Sequence, residues 1–303
     1  DGRGGPPARG GGKTHRFYAS MGKEIANKNM QLTVQGQTIS SQYGSVESAE
    51  FNIEQLINAG LTSGLKEKHN ILLDPENKAL LDEMAEESYK AFVDLREHPL
   101  FVSYLEKLSP LKLLSQANIS SRPVKRNGGG EMKLEDLRAI SFVTAWSMLK
   151  QNVPGFYGMG TALKNQENAG NWDKVAKVYA DSDYLKTIVD NCMMSMSKSD
   201  FVITAHLASD KEFGAFWTQL HEEFKLTKEM LLKLSGQPTL MANYPVDKKS
   251  IATREKIILP LVLIQHFALE KLQHDQNEKD QHALEKLAVR TVFGIVNAGR
   301  NLA

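Results

Sequence analysis

From about residue 162 to the end, apolar residues recur every three to four positions with few breaks. That spacing predicts helices over Trp172–Ala180, Asp183–Met196, Phe201–Leu207, Lys211–Leu234, Lys248–Lys271 and Gln281–Asn297. Pro260 falls inside the fifth of these, where it removes a backbone donor and predicts a bend. Met193, Met194 and Met196 read as adaptable packing rather than a cofactor contact. The charged run from His274 to His282 reads as a solvated turn.

The first half is less uniform. Val46–Leu65 has helical periodicity, with Phe51, Leu56 and Ile57 on the apolar side. A polar connection over 66–73 leads to Pro75, well suited to a first helical turn. The helix it opens extends to about Arg96 with Leu80, Leu81, Met84, Tyr89, Phe92 and Val93 inward. Pro99–Leu108 predicts a short helix, and Tyr89, Phe92, Phe101 and Tyr104 are assigned to the core. Arg16–Met21 and Gln31–Gln35 read as short strands, the second alternating and ending at Gly36. Asn118–Pro123 reads as a strand ending in a loop, with Arg122 pushed towards extended geometry by the proline after it. An apolar stretch, Ala139–Leu149, contains Trp146. The fold class is therefore mostly α-helical.

Composition narrows the class without naming a chemistry. The chain has 303 residues, 41% hydrophobic and 24% charged, enough for one large domain or two ordinary ones. A net charge of +1 implies no general affinity for nucleic acid or acidic membranes. No apolar run approaches the roughly 20 residues that span a bilayer. Cys192 is the sole cysteine, which suits a reducing, cytoplasmic setting. The chain opens on a chemistry-bearing loop rather than a signal peptide, and so reads as part of something larger.

That loop carries the chemistry. Gly2, Gly4, Gly5, Gly10, Gly11 and Gly12 are interleaved with Arg3, Arg9 and Lys13. Bare glycine N–H groups and arginine forks together suit a small, highly charged anion. Gly12-Lys13-Thr14 ends like a nucleotide P-loop, but Pro7 stands where that motif needs glycine. An RGG-type RNA-binding arm is the competing reading, from a different functional class. No HExxH, CxxC or G-x-S-x-G pattern occurs, and the eight histidines are scattered. A second basic, glycine-bearing segment holds Arg122, Lys125, Arg126 and Gly128 to Gly130, with Arg138 shortly after. Brought together, Arg3, Arg9, Arg122 and Arg138 would stabilise negative charge developing on a phosphoryl or enolate oxygen. Left apart, they are four surface arginines.

In order along the chain, these segments resemble the phosphoenolpyruvate carboxylase family. Gly2-Arg3-Gly4-Gly5 and Arg9-Gly10-Gly11-Gly12 resemble its glycine loop, and Gln35-Gly36 its QGE element. Ser121-Arg122-Pro123-Val124-Lys125-Arg126 resembles its SRPxKR motif. Leu137-Arg138-Ala139-Ile140 with Trp146 resembles LRAIPW…W, and Lys198, Arg254 and Arg300-Asn301 fall at later signature positions. The resemblance implies the C-terminal third of a larger, mostly helical enzyme built around an eight-stranded β/α barrel. Residues 1–160 would be the C-terminal part of the catalytic barrel and residues 161–303 a helical region carrying an effector site. The implied reaction is carboxylation of phosphoenolpyruvate by bicarbonate to oxaloacetate, releasing phosphate, through carboxyphosphate and an enolate. Mg²⁺ or Mn²⁺ would be held by carboxylates upstream of residue 1, so this chain alone would be inactive.

By motif position, Arg3 and Arg138 would bind the substrate phosphate and stabilise the enolate. Arg9 would be the mobile-loop arginine needed for carboxylation, and Arg122 would hold carboxyphosphate or bicarbonate. Arg9, Lys198, Arg254 and Asn301 would bind aspartate or malate as feedback inhibitor. The whole enzyme would be a homotetramer with neither nucleic-acid nor membrane partners. Five positions depart from the family pattern. Asp1 stands at a usual histidine, Gln37 at the glutamate of QGE, Ser141 at the proline of LRAIPW, and Leu302-Ala303 replaces a terminal Thr-Gly.

Overall fold

The computed structural model describes residues 2–4, 14–20, 31–34, 39, 42–65, 74–117, 137–274 and 277–299. A short strand β1 (Gly2–Gly4) is followed by helix α1 (Thr14–Ala19) and strand β2 (Leu32–Val34). The two strands pair in parallel, with Arg3 opposite Thr33. Helices α2 (Val46–Leu65), α3 (Pro75–Arg96) and α4 (Phe101–Leu108) come next, then a 3₁₀ segment at Pro110–Ala117. The second half holds α5 (Ala139–Met148), α6 (Met159–Asn168), α7 (Trp172–Asp181), α8 (Asp183–Met196) and α9 (Gly214–Ser235). Two long helices, α10 (Pro245–His274) and α11 (Glu278–Gly299), pack side by side and close the described chain.

Local chemistry sets the helix ends. Asp74 accepts a hydrogen bond from the Asn77 N–H at 2.7 Å and Pro75 fills the first turn, so α3 begins where both predict. Ser182 caps α8 by accepting from the Leu185 N–H at 3.1 Å. The N-terminus of α6 is satisfied from another helix. Glu223, on α9, accepts from the Gly158 and Thr161 N–H groups at 3.0 and 3.2 Å. A carboxylate there meets unpaired donors and the positive end of the helix dipole.

One core runs from α3 through α11. Its centre is aromatic: Phe101 lies 5.6 Å from Trp146, and Tyr104 lies 5.0 Å from Phe216, ring centre to ring centre. The Trp146 Nε1 is buried without a partner, but other polar tips in this core are paired. Gln151 donates to the Tyr104 hydroxyl at 2.8 Å and to the Thr204 hydroxyl at 3.0 Å, and Trp217 donates to Thr204 at 2.9 Å. Met193 and Met196 are fully buried, as packing residues should be.

Several expectations are corrected. Arg16–Met21 is not a strand: Thr14–Ala19 is a helix, closed by the Ser20 N–H donating to the Arg16 carbonyl at 3.0 Å. Tertiary contact outweighs the strand propensity of Phe17 and Tyr18, because Arg16 and its helix dock against Tyr244. Tyr89 is 62% exposed rather than core, and on α2 Phe51 and Ile57 point outward while Ala59 is buried. The segment 201–204 forms turns leading into a short 3₁₀ helix, Ala205–Ser209, instead of a continuous helix. The helix expected over Lys248–Lys271 is longer at both ends, α10 running from Pro245 to His274 with Pro260 inside it. The strand expected at Asn118–Pro123 and the connection at 66–73 lie outside the described residues.

Candidate functional site

The side chains of Arg3, Arg9, Arg122 and Asn301 lie outside the described residues; of these four, only the backbone of Arg3 is placed, in β1. Arg138, Lys198 and Arg254 are described. Arg138 occupies the cap position before α5 in extended geometry, and its Nε is buried without a hydrogen-bond partner. A guanidinium N–H in that condition is a donor awaiting an acceptor.

Lys198 and Arg254 come together. They line one pocket with Ser147, Lys150, Asn152 and Glu255, and its edge reaches Gly299. Lys198 is held by the turn that ends α8, where its N–H donates to the Ser195 carbonyl at 3.2 Å. Arg254 lies along α10 and donates to the Gly299 carbonyl at 3.2 Å. Gly299, at the pocket's edge, is the last described residue. Arg138 is not among the pocket's lining residues.

Two residues of this pocket escaped the sequence reading. Lys150 adopts a left-handed backbone (φ 58°) directly after α5, is buried, and pairs with Glu255 at 2.6 Å. The signal for it was a lysine following the apolar run Ala139–Leu149 closely enough to be drawn inside. Glu255 beside Arg254 carried no signal at all, since adjacent helix residues do not normally face one site.

The electrostatics are unbalanced. Three cations, Lys150, Lys198 and Arg254, share the pocket with one carboxylate, Glu255. The Lys198 amine is buried and makes no hydrogen bond. Burial, reinforced by the nearby charges of Lys150 and Arg254, pushes its pKa down to about 8. Burial also lowers the Lys150 pKa, opposed by Glu255. A buried, unpaired ammonium costs free energy that an anion such as a carboxylate would recover. The free space is about 20 Å³, roughly the room of one water. An organic anion must therefore part the elements that line it.

Among the described residues, no group of three or more His, Cys, Asp or Glu is placed to hold a metal ion. No described helix is long and apolar enough to cross a membrane.

A family model for phosphoenolpyruvate carboxylase matches residues 1–301, which takes in the glycine-rich segment. Among curated relatives, a phosphoenolpyruvate carboxylase from Corynebacterium diphtheriae is 28% identical, over 99% of this chain and 34% of its own length. Proteins of the same name from Nitrosomonas eutropha and Corynebacterium glutamicum are each 30% identical, over 99% of this chain and 33% of their own length. The chain thus spans about a third of the length of the curated relatives it matches.

Proposed function

Because the chain belongs to the phosphoenolpyruvate carboxylase family, we propose that it supplies part of an enzyme that carboxylates phosphoenolpyruvate with bicarbonate to give oxaloacetate and phosphate. Arg3 and Arg138 bind the substrate phosphate and stabilise the enolate, Arg122 holds carboxyphosphate, and Arg9 works from the glycine loop. The buried, unpartnered Nε of Arg138 supports its part in this. A preorganised donor aimed at developing negative charge accelerates such chemistry without reorganising during the reaction. The carboxylates for Mg²⁺ or Mn²⁺ come from the part of the enzyme upstream of residue 1.

The pocket around Lys198 and Arg254 is a feedback site for aspartate or malate, completed by Asn301 and Arg9. One observation carries this reading: a buried ammonium with no partner, in a pocket with excess positive charge. Sharing Arg9 between the two sites lets the inhibitor hold the loop away from the substrate, a population shift set by differential contacts. Residues 1–160 contribute the last part of the catalytic barrel and residues 161–303 the effector region. The whole enzyme is a cytoplasmic homotetramer.

The test uses the whole natural protein with phosphoenolpyruvate, bicarbonate and Mg²⁺, reading oxaloacetate by its reduction with malate dehydrogenase. Bicarbonate-dependent oxaloacetate that falls on adding aspartate or malate supports both sites. Absence of oxaloacetate rejects the carboxylase reading, and turnover indifferent to both acids rejects the effector reading alone.

A further inference from the structure

A second, much roomier pocket is built from the same turn of chain. The turn after α8 gives Lys198 to the first pocket, and Asp200 and Phe201 to this one. Its free space is about 370 Å³, within the ordinary range for small organic ligands. Met196, Phe201, Phe224 and Leu240 supply apolar walls. The Phe201 and Phe224 rings are in contact, with centres 4.9 Å apart. Helix α9 adds His221 and Lys228, which share one helical face with Phe224 at i, i+3 and i+7 spacing. Three polar groups enter this apolar setting, and the protein leaves each of them open. His221 is stacked on Phe201, with ring centres 5.1 Å apart and 17° between the planes, and lies 4.8 Å from Trp217, so its ring is fixed. Burial, with the charge of Lys225, lowers its pKa and leaves it uncharged at neutral pH. Among the described residues its ring nitrogens have no hydrogen-bond partner, and Lys228 has no ion-pair partner. Asp200 Oδ1 accepts from the Val202 N–H at 3.0 Å, and Oδ2 has no hydrogen-bond partner among the described residues.

We propose that this pocket binds a free aromatic α-amino acid, with its ring against Phe224 and Leu240, its carboxylate on Lys228 and its ammonium on Asp200. Apolar walls alone would accept any apolar body. The two charges select among them. A simple anion meets repulsion from Asp200, and a simple cation meets repulsion from Lys228. A molecule carrying both charges beside one apolar group satisfies both ends with charge-assisted hydrogen bonds. The neutral His221 ring supplies a further hydrogen bond without adding charge. Aromatic walls favour an aromatic occupant, since offset and edge-on ring contacts add to the gain from buried area. The site goes beyond the carboxylase reading and does not depend on it. It is also distinct from the pocket of Lys198 and Arg254, which has no aromatic lining and about 20 Å³ of free space.

The test titrates the whole natural protein with L-phenylalanine, with hydrocinnamate, which lacks the ammonium, and with phenethylamine, which lacks the carboxylate. Ligand-observed NMR reads each affinity in the natural protein and in Lys228→Met, Asp200→Asn and Lys198→Met. We expect saturable phenylalanine binding, weakened at least about fivefold by Lys228→Met and by Asp200→Asn, as for a lost hydrogen bond to a charged group. Lys198→Met should leave it within about twofold, because that amine belongs to the other pocket. Asp200→Asn also removes a charge felt by Lys150, and the analogues separate direct contact from any structural effect. Hydrocinnamate has no ammonium to lose, so Asp200→Asn should leave its affinity within about twofold, and Lys228→Met should do the same for phenethylamine. Phenylalanine binding that is absent, that survives both charge variants, or that is lost in Lys198→Met overturns the site. So does an Asp200→Asn variant that weakens hydrocinnamate as much as phenylalanine. No carboxylation is read, so these outcomes stand apart from those that test the carboxylase and inhibitor readings.

Discussion

Lys150 Nζ lies 2.6 Å from Glu255 Oε2, and that pairing leaves the neighbouring Lys198 amine buried without a hydrogen-bond partner. Glu255 is the carboxylate lining this pocket, and its geometry satisfies Lys150 rather than Lys198.

The first prediction follows from the depressed pKa of Lys198, about 8 against an ordinary lysine value of 10.5. The folded state holds this proton less tightly than the unfolded chain does. Between pH 8 and 10.5 the unfolded chain binds more protons, so this group makes stability rise with pH across that window and lowers it below. An anion needs the protonated amine. Aspartate affinity should hold steady below pH 8 and weaken towards about tenfold per pH unit above it. Calorimetry at neutral pH in buffers of different ionisation enthalpy, compared with values above pH 9, reads both the affinity and the protons taken up on binding. Affinity that stays flat to pH 9.5 contradicts the assignment.

Replacing the same residue separates binding from folding. Lys198→Met removes a buried charge that has no partner. It should abolish aspartate binding yet raise stability at pH 7 by about 1–3 kcal/mol, the ordinary cost of an unsatisfied buried polar group. Glu255→Gln should do the reverse, stranding Lys150 and costing about 3–5 kcal/mol. Chemical denaturation of both variants checks the opposite signs. If both variants lose stability, Lys198 has an anionic partner in solution.

Much of this fold was legible because the helices are long and one-sided. The bounds of α3 and α8 follow from caps at Asp74 and Ser182 and from apolar spacing, and the structure places both as predicted. Periodicity names an apolar face but not what covers it, and so Tyr89 and Phe51 were assigned inward although both are exposed. The start of helix α6, at Gly158 and Gly160, precedes the helical pattern, which sets in only from about residue 162. The use of both glycines is tertiary, since Gly160 lies against the Thr227 backbone on α9 and Gly158 against the Ser88 carbonyl on α3, too close for larger residues. In the pocket, Lys198 and Arg254 were legible through family motifs. Lys150 and Glu255 required the backbone turn after α5 to be seen.

That close approach is itself testable. A Cβ added at Gly160 would lie 2.5 Å from the Thr227 backbone nitrogen, and backbone cannot step aside as a side-chain end can. The hydroxyl of Thr227 also accepts from the Gly160 N–H at 3.1 Å. Gly160→Ala must therefore push α6 from α9 and strain the Glu223 cap at the same helix end. We expect a loss of about 1–3 kcal/mol, as for overpacked cores. Gly170→Ala, with open space around it but a φ of 77°, should cost only the backbone strain of about 1 kcal/mol. Melting curves of the two variants compare steric with conformational cost, and equal losses would remove the argument for helix contact at Gly160.

On the proposed reading, the arginines decide the chemistry. Arg138 holds a buried donor with no protein acceptor, which suits an oxygen arriving with the substrate. Removing one preorganised donor to developing charge typically lowers kcat about 10²–10³-fold. In the whole natural protein, Arg138→Ala should fall by at least that much, with stability little changed because no protein hydrogen bond to Nε is lost. Arg9→Ala should likewise stop oxaloacetate formation, and by the proposed sharing of Arg9 it should also weaken aspartate binding, which Arg138→Ala should leave alone. Kinetics and calorimetry on the two variants therefore give different patterns. Aspartate affinity lost in both, or in neither, would show that the two sites do not share the loop arginine.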